Sequence, residues 1–338
     1  MSTRSIDGVS RKLADRQPAP APPSYDHIII KKLRRRKHLI WLLWFLFIIP
    51  AVGGTFLIFP SRTSREQTAN VVISEPKAEA QSQAVTIREP EEVSNPLQDF
   101  VKKLVEGKPV NVGIYVEDLK AGTKASHNSS QEFNSASLYK LFVANEIFRL
   151  VSEGKLSMDG SLTLKIAGDN PDTPEDETKT SSRSIRSCLE VMLTRSDNAC
   201  GQALGTKIGW SRQNKSLKTQ GYAGTKLNDP PKTTVGDVGL LLRRTYKDEL
   251  VNPQSSQDLL ALLKAQQIKT KLPKGLPAGT LIAHKTGELD GFEHDAGIVY
   301  GPKTTYIIVV MSGPWKTSPQ ARATIAELSR DIYGFLNN

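Results

Sequence analysis

One stretch of seventeen residues, Ser135–Val151, constrains this chain more than any other. It reads SASLYKLFVANEIFRLV, and apolar side chains fall on most sides of any helix that it forms. A helix that is apolar nearly all round is buried, so the stretch predicts a helix at the centre of a folded domain. Its apolar positions are Leu138, Leu141, Phe142, Val143, Ala144, Ile147, Phe148, Leu150 and Val151.

Ser137 and Lys140 stand at the start of this helix, three residues apart. Residues at i and i+3 share a helix face, so the hydroxyl and the amine can meet. A serine near a helix N-terminus lies in positive potential, and an amine held in dry surroundings loses its proton more easily. The pair therefore predicts a nucleophile with its own base. Because Ser-x-x-Lys also arises by chance, the prediction depends on further motifs.

Two later tripeptides supply those motifs. Ser-Asp-Asn occupies Ser196–Asn198 and follows a predicted helix over Ile185–Thr194. Lys-Thr-Gly occupies Lys285–Gly287, at the end of an alternating pattern that predicts a strand over Thr280–Thr286. The first could instead be a helix C-terminal turn with capping side chains, and the second a strand end with an exposed lysine. All three motifs in this order favour one shared site.

The three motifs resemble those of the class A β-lactamases and the penicillin-binding proteins, which use an active-site serine. The resemblance covers about residues 96–338, and Thr233–Asp237 also resembles the family's stretch after its Ω-shaped loop. It implies an α+β fold of the β-lactamase and transpeptidase type, with no metal and no cofactor. The substrate would be a β-lactam or a peptidoglycan peptide.

The resemblance also implies a role for each motif residue. Ser137 would attack an amide or lactam carbonyl and form an acyl-enzyme, and Lys140 would take its proton directly or through water. Ser196 would relay a proton to the leaving nitrogen. On the substrate side, Asn198 would hold a side-chain amide of the substrate, and Lys285 would supply positive charge for its carboxylate. Thr286 and Gly287 would line the strand beside the substrate, and the backbone N–H of Glu288 would also take part. That N–H would form an oxyanion hole with the N–H of Ser137.

The chain departs from the class A pattern in the loop that carries a glutamate for deacylation. No glutamate lies between Asn198 and Thr233, and the only acid there is Asp229, which stands against two prolines. A base that cannot reach its water contributes little, so fast β-lactam turnover is not expected. A β-lactamase-like hydrolase is the leading interpretation. The alternatives are a D-Ala-D-Ala carboxypeptidase or transpeptidase that deacylates poorly, and a non-catalytic cell-wall binding or sensing module.

Cys188 and Cys200 are the only cysteines. Neither has a Cys or His partner at metal-ligand spacing, so the expectation is two small buried hydrophobic residues. The family's disulfide joins the serine helix to the Ser-Asp-Asn helix. Here Ala144 stands where its first cysteine would be expected, and Cys188 falls near the second, so that disulfide is expected to be absent.

The order of local patterns predicts one antiparallel sheet with helices on it. Val110–Glu117 alternates with period two, and Ala121-Gly122 offers a turn into a partner strand. The late apolar runs over residues 280–286, 296–300 and 305–311 predict three more strands. Terminal helices, capped by Asn95 and Ser318, would cover one face of the sheet. A helical block with further helices over residues 235–245 and 257–266 would form a second lobe.

The N-terminal part predicts membrane attachment. Residues 1–37 read as a disordered basic cytoplasmic tail, ending in six positive charges within Lys31–Lys37. Residues 38–60 predict a transmembrane helix, because Leu39–Phe59 carries no charge and about 20 apolar residues span a bilayer. A cleaved signal peptide is the alternative, although its apolar core is usually shorter. Residues 61–95 read as a flexible linker, which leaves residues 96–338 as the hydrolase domain.

The distribution of charge predicts the orientation of the chain in the membrane and argues against binding of nucleic acid. The chain has 338 residues and a net charge of +10, but ten Lys or Arg and only three Asp lie in the first 60 residues. Basic residues before the apolar segment predict a cytoplasmic N-terminus and an extracytoplasmic domain at the plasma membrane. The folded part has no basic stripe with interleaved aromatic residues, so a nucleic-acid groove is not expected.

Overall fold

The structure is a computed structural model and describes residues 95–166 and 179–338. The predicted cytoplasmic tail, the predicted membrane helix and all but the last residue of the predicted linker lie outside these residues. Among the residues that are described, no helix combines the length and the apolar character needed to cross a bilayer.

Strands and helices alternate in blocks along the described chain. The strands are β1 (Val112–Asp118), β2 (Lys124–His127), β3 (Phe133–Asn134), β4 (Ser161–Ile166), β5 (Lys179–Ser184), β6 (Lys232–Thr233), β7 (Leu281–Leu289), β8 (Phe292–Tyr300) and β9 (Thr305–Ser312). The helices are α1 (Pro96–Val105), α2 (Tyr139–Ser152), α3 (Ile185–Thr194), α4 (Asn198–Ile208), α5 (Trp210–Thr219), α6 (Val235–Tyr246), α7 (Pro253–Lys264), α8 (Leu272–Gly275) and α9 (Ser318–Asn337).

The early hairpin and the late strands form one antiparallel sheet, as the sequence predicts. Its order is β2-β1-β9-β8-β7, so β7 lies at one edge. Alternate residues of β9 enter opposite cores: Ile308 and Val310 pack with α1 and α9, while Ile307 and Val309 pack with the helical block. Because both faces are covered, β9 is almost entirely apolar from Tyr306 to Met311.

This two-sided burial corrects the interpretation of the Lys-Thr-Gly strand. The segment from Ile282 to Gly287 is buried without alternation, and β7 continues past the motif to Leu289. The motif therefore lies inside an edge strand instead of ending it. The terminal helix also differs by one position, since Thr317 is its N-cap and Ser318 its first residue.

The first helix and the central helix are formed as predicted. Asn95 Oδ1 accepts from the N–H of Gln98 at 3.1 Å, and Pro96 opens α1. The central helix begins with a 3-10 turn over Ala136–Leu138 and continues as α2, in which nearly every residue from Lys140 to Leu150 is buried. The core of the helical block forms around it.

The two cysteines form a disulfide, and the expectation of two separate buried thiols is wrong. α3 and α4 run on either side of the turn at residues 195–197, which brings the Cα atoms of Cys188 and Cys200 to 5.0 Å. This separation is within the range that a disulfide requires. The bond joins α3 to α4 and not to the serine helix, so Ala144 needs no cysteine partner.

His294 connects the sheet to the segment before the central helix. Its Nδ1 lies 3.1 Å from the N–H of Ser312, which can only donate, so Nε2 carries the proton and donates to the Asn134 carbonyl at 2.7 Å. Burial lowers the pKa of His294 to about 4. The imidazole is therefore neutral near pH 7, and it fixes β3 against β8.

We predict that this histidine makes the fold sensitive to acid. The unfolded chain binds a proton at His294 near pH 6.5, whereas the folded chain does not until about pH 4. Stability is therefore complete above pH 6.5 and declines as the pH falls towards 4. The wild type should lose about 2–3 kcal/mol more unfolding free energy than His294→Gln between pH 7.5 and 4.5, measured by urea unfolding. Parallel pH curves for the two proteins would contradict this.

Candidate active site

The backbone before Ser137 is held in an uncommon conformation. The N–H of Ser135 donates to the Pro231 carbonyl at 2.8 Å, and the N–H of Ala136 donates to Asn134 Oδ1 at 3.0 Å. Ala136 has φ +43°, in the left-handed region that non-glycine residues seldom adopt. Such strain persists only where neighbouring contacts determine it. These contacts place the half-buried Ser137 at the start of the central helix.

Gly287 allows the Lys-Thr-Gly strand to approach this turn. A Cβ atom at residue 287 would lie 3.3 Å from Ala136 Cβ and 3.2 Å from His294 Cβ. Only a residue without a side chain fits this approach without moving a neighbour. The glycine of the third motif therefore brings β7 next to the serine of the first.

The amine of Lys140 meets the serine and the second motif together. Its Nζ lies 3.1 Å from Ser137 Oγ, and it donates to the Ser196 carbonyl and to Asn198 Oδ1, each at 2.6 Å. Carbonyl oxygens only accept hydrogen bonds, so two amine protons point at these oxygens. A neutral amine with two protons then has its lone pair available for the serine hydroxyl. The arrangement suits an amine that removes the proton of Ser137.

Ser196 lies between two lysine amines. Lys285 Nζ is 2.8 Å from Ser196 Oγ, and Lys140 Nζ is 3.3 Å from the same oxygen. Ser196 has φ +63°, a second left-handed non-glycine residue in the site. Asp197 next to it caps α4, because its Oδ1 accepts from the N–H of Cys200 at 2.7 Å. The Ser-Asp-Asn tripeptide therefore starts α4 and is not only the end of α3.

Lys285 is fully buried, so the Lys-Thr-Gly motif is not a strand end with an exposed lysine. Burial lowers its pKa well below the usual value, and the nearby charges of Lys140 and Lys271 lower it further. Its amine also donates to the Thr286 carbonyl at 2.8 Å. A negatively charged group in the site would oppose these effects and favour the protonated amine.

The remaining predicted substrate-side residues lie on α4 and β7. Asn198 is the first residue of α4, and Thr286 and Gly287 are buried within β7. Glu288 follows them, and its half-exposed carboxylate pairs with Lys271 at 3.2 Å and Arg322 at 3.3 Å. Direct contacts thus join Ser137, Lys140, Ser196, Asn198 and Lys285. The roles assigned to these residues stay predictions.

Asp229 has no comparable position. It lies in a short loop closed by the bridge between Lys226 and Lys232, and its side chain is exposed to solvent. An exposed carboxylate is poorly suited to hold and activate one ordered water. Among the described residues, no three His, Cys, Asp or Glu side chains come together as a group that could hold a metal ion.

Sequence reasoning missed three residues that shape the site. Lys271 and His294 stand alone in the sequence, without a motif. Gly201 lies one helical turn after Asn198, where a Cβ atom would come within 2.9 Å of Lys140 Cε and 2.7 Å of the Tyr139 hydroxyl. A glycine inside a helix costs about 1 kcal/mol relative to alanine, so it often marks a close approach. A glycine at this position in the sequence could therefore have indicated the close approach at Gly201.

The site contains a serine with an amine at 3.1 Å, a second serine between two lysines and an edge strand that contains a glycine. This arrangement is typical of a serine hydrolase. Comparison with known proteins agrees with this class. The profile of the Beta-lactamase enzyme family matches residues 96–336, and the chain belongs to that family.

Individual relatives and solved structures support the assignment. A β-lactamase of Bacteroides uniformis is 24% identical and covers 70% of this chain and 90% of its own length. The solved structure of PBP-A is 27% identical, with a TM-score of 0.65 over 71% of this chain and 95% of its own. PBP-A has also been solved as an acyl-enzyme complex of a mutant with penicillin G. An ancestral class A β-lactamase shares the fold, with a TM-score of 0.63 at 22% identity, covering 71% of this chain and 99% of its own.

We predict that Gly201→Ala impairs the nucleophile although alanine favours helices. The added methyl group would displace the Lys140 side chain, and a displacement of about 1 Å can reduce a rate a hundredfold. The rate of Ser137 labelling by an alkyl fluorophosphonate should fall at least about tenfold, with an unchanged thermal midpoint. Gln202→Ala, at the next and exposed position, is the control. Labelling of Gly201→Ala at the wild-type rate would show that the methyl group is accommodated.

Proposed function

We propose that this protein forms an acyl-enzyme at Ser137 with β-lactams or with peptidoglycan peptides that they resemble. The observation that carries the proposal is the position of Lys140 Nζ, 3.1 Å from Ser137 Oγ and held by two carbonyl acceptors. The acyl-enzyme of PBP-A with penicillin G, in a relative of the same fold, supports the choice of substrate.

The contacts support a proton path for acylation. Ser137 Oγ bonds to the substrate carbonyl carbon while its proton passes to Lys140. The carbonyl oxygen becomes an oxyanion, and the N–H groups of Ser137 and Glu288 would stabilise it. The carbon–nitrogen bond then breaks, and the leaving nitrogen receives a proton through the hydroxyl of Ser196, which lies 3.3 Å from Lys140 Nζ. Lys285 would attract a substrate carboxylate.

Slow release of the acyl group is the second part of the proposal. The segment between Asn198 and Thr233 has no glutamate, and Asp229 is exposed in a short loop. Acylation without a positioned base for water leaves the ester in place. This favours a peptidase-like penicillin-binding protein within the β-lactamase family, whereas a fast β-lactamase would need another group to activate water.

We further propose that residues 38–60 anchor the domain on the outer side of the plasma membrane. The uncharged segment Leu39–Phe59 after a basic cluster supports the anchor and its orientation. The disulfide between Cys188 and Cys200 supports an extracytoplasmic domain, because disulfides persist in oxidising compartments.

We predict that brief exposure to benzylpenicillin adds one penicillin mass to Ser137. Because deacylation lacks a positioned base, the adduct should persist after free penicillin is removed. Intact-mass spectrometry over time measures both steps. Lys140→Ala should slow acylation by about a hundredfold to ten-thousandfold, the usual contribution of a general base.

Two control variants and one outcome of the wild type make this experiment decisive. Ser137→Ala should carry no adduct. Asp229→Ala should lose its adduct at the wild-type rate, and slower loss would make Asp229 the deacylating base. A wild-type protein that never forms the adduct would favour a binding module without acyl transfer.

We predict that deletion of residues 1–60 releases the protein from membranes. The full chain should sediment with membranes and resist extraction by high salt, because burial of apolar side chains is insensitive to salt screening. The truncated chain should stay in the supernatant and still react at Ser137. If the protein expressed with residues 1–60 appears in the supernatant and has lost its first residues, that result would support a cleaved signal peptide.

A further inference from the structure

The side chain of Lys271 is fully buried beside the Lys-Thr-Gly strand and meets four oxygen atoms. Its Nζ donates to the carbonyl of Gly287 at 2.8 Å and to the carbonyl of His294 at 3.1 Å. It also forms ion pairs with Glu293 at 2.6 Å and with Glu288 at 3.2 Å. Neither the catalytic motifs nor the proposed proton path uses this lysine.

The contacts show which way the peptide between Gly287 and Glu288 points. Gly287 lies opposite His294 in the β7–β8 ladder, and one amine reaches both carbonyls, so both face the gap between the strands. In a planar trans peptide the C=O and the following N–H point in opposite directions. The N–H of Glu288 therefore points away from β8, towards the unpaired edge of β7.

The backbone around Lys271 is itself fixed. The N–H of Leu272 donates to Asp295 Oδ2 at 3.0 Å, and the Leu272 carbonyl accepts from Ser329 Oγ at 2.9 Å. Lys271 is thus held between β8 and α9. A cation at the carbonyl oxygen also polarises the peptide, which makes the N–H on its other side a better donor.

We propose that Lys271 is a positioning residue that fixes and polarises the Gly287–Glu288 peptide, so that the Glu288 N–H is ready for the oxyanion. This assignment depends on the proposed acyl transfer at Ser137. Lys271 acts through the peptide and does not touch the substrate, since its amine is buried and already surrounded by oxygen atoms of the protein.

Boronic acids provide a test, because Ser137 Oγ adds to boron and the resulting tetrahedral adduct places a negative oxygen in the oxyanion hole. Phenylboronic acid has no carboxylate, whereas 3-carboxyphenylboronic acid has one. Calorimetry on the full chain gives the Kd of each, and ¹¹B NMR reports the tetrahedral boron. Lys271→Met should weaken both compounds equally, by about tenfold to a hundredfold, since a lost oxyanion donor costs at least a hundredfold.

Arg322→Met is the matched control. Arg322 pairs with the same two carboxylates, at 3.3 Å from Glu288 and 3.4 Å from Glu293, but it has no contact with the Gly287 carbonyl among the described residues. It should keep both Kd values within about twofold of the wild type, because Arg322 pairs with the carboxylates and not with the peptide that carries the Glu288 N–H. Equal weakening in Arg322→Met would assign the effect to the charge cluster and overturn the proposal.

The remaining outcomes are also distinct. Loss of affinity for the carboxylate compound alone would make Lys271 a carboxylate-binding residue and overturn the positioning role. Unchanged affinity for both compounds would make the lysine purely structural. If Lys271→Met fails to fold because the buried Glu293 loses its partner at 2.6 Å, the double variant Lys271→Met with Glu293→Gln removes both charges, and Glu293→Gln is its reference. A wild type that binds neither compound would contradict the proposed function, and the role of Lys271 would fall with it.

Discussion

The contact between the Lys140 amine and the Ser137 hydroxyl is the interaction on which the site depends. It exists because the central helix is buried, which places the amine where bulk water does not solvate it. The neighbouring elements then determine its direction, since the turn before α4 provides the Ser196 carbonyl and the start of α4 provides Asn198. The apolar helix and the polar motifs are therefore parts of one arrangement.

The edge position of β7 gives the site its second wall. An edge strand leaves backbone groups that no neighbouring strand pairs, and an extended peptide can use them. Gly287 brings this edge onto the serine turn, and His294 ties the same turn to β8. The backbone of the sheet thus becomes part of the site, and its alignment depends on residues outside the three motifs.

The sequence predicted the parts that local pattern determines. Periodicity identified α1, α2, α3 and the strands of the sheet, and the order of the motifs identified the residues that meet. The sequence did not predict the features that depend on tertiary packing. α4 contains two glycines within its helical span and α5 has only Gln213 and Leu217 buried, so neither shows a strong apolar face. The disulfide depends on how α3 and α4 turn back on each other, and Lys271 acts through a backbone carbonyl that no side-chain pattern reveals.

Lys285 has a consequence for how ligands bind. Its amine is buried, and burial together with two neighbouring lysines lowers its pKa well below the usual value, so the empty site opposes the charged form. An anion that enters favours the charged amine and raises this pKa, so binding of an anion is linked to binding of a proton. Association with an anionic ligand should accordingly tighten as the solution becomes more acidic, down to the point where the ligand itself is protonated. In this way one buried amine couples the occupancy of the cleft to the acidity of its surroundings.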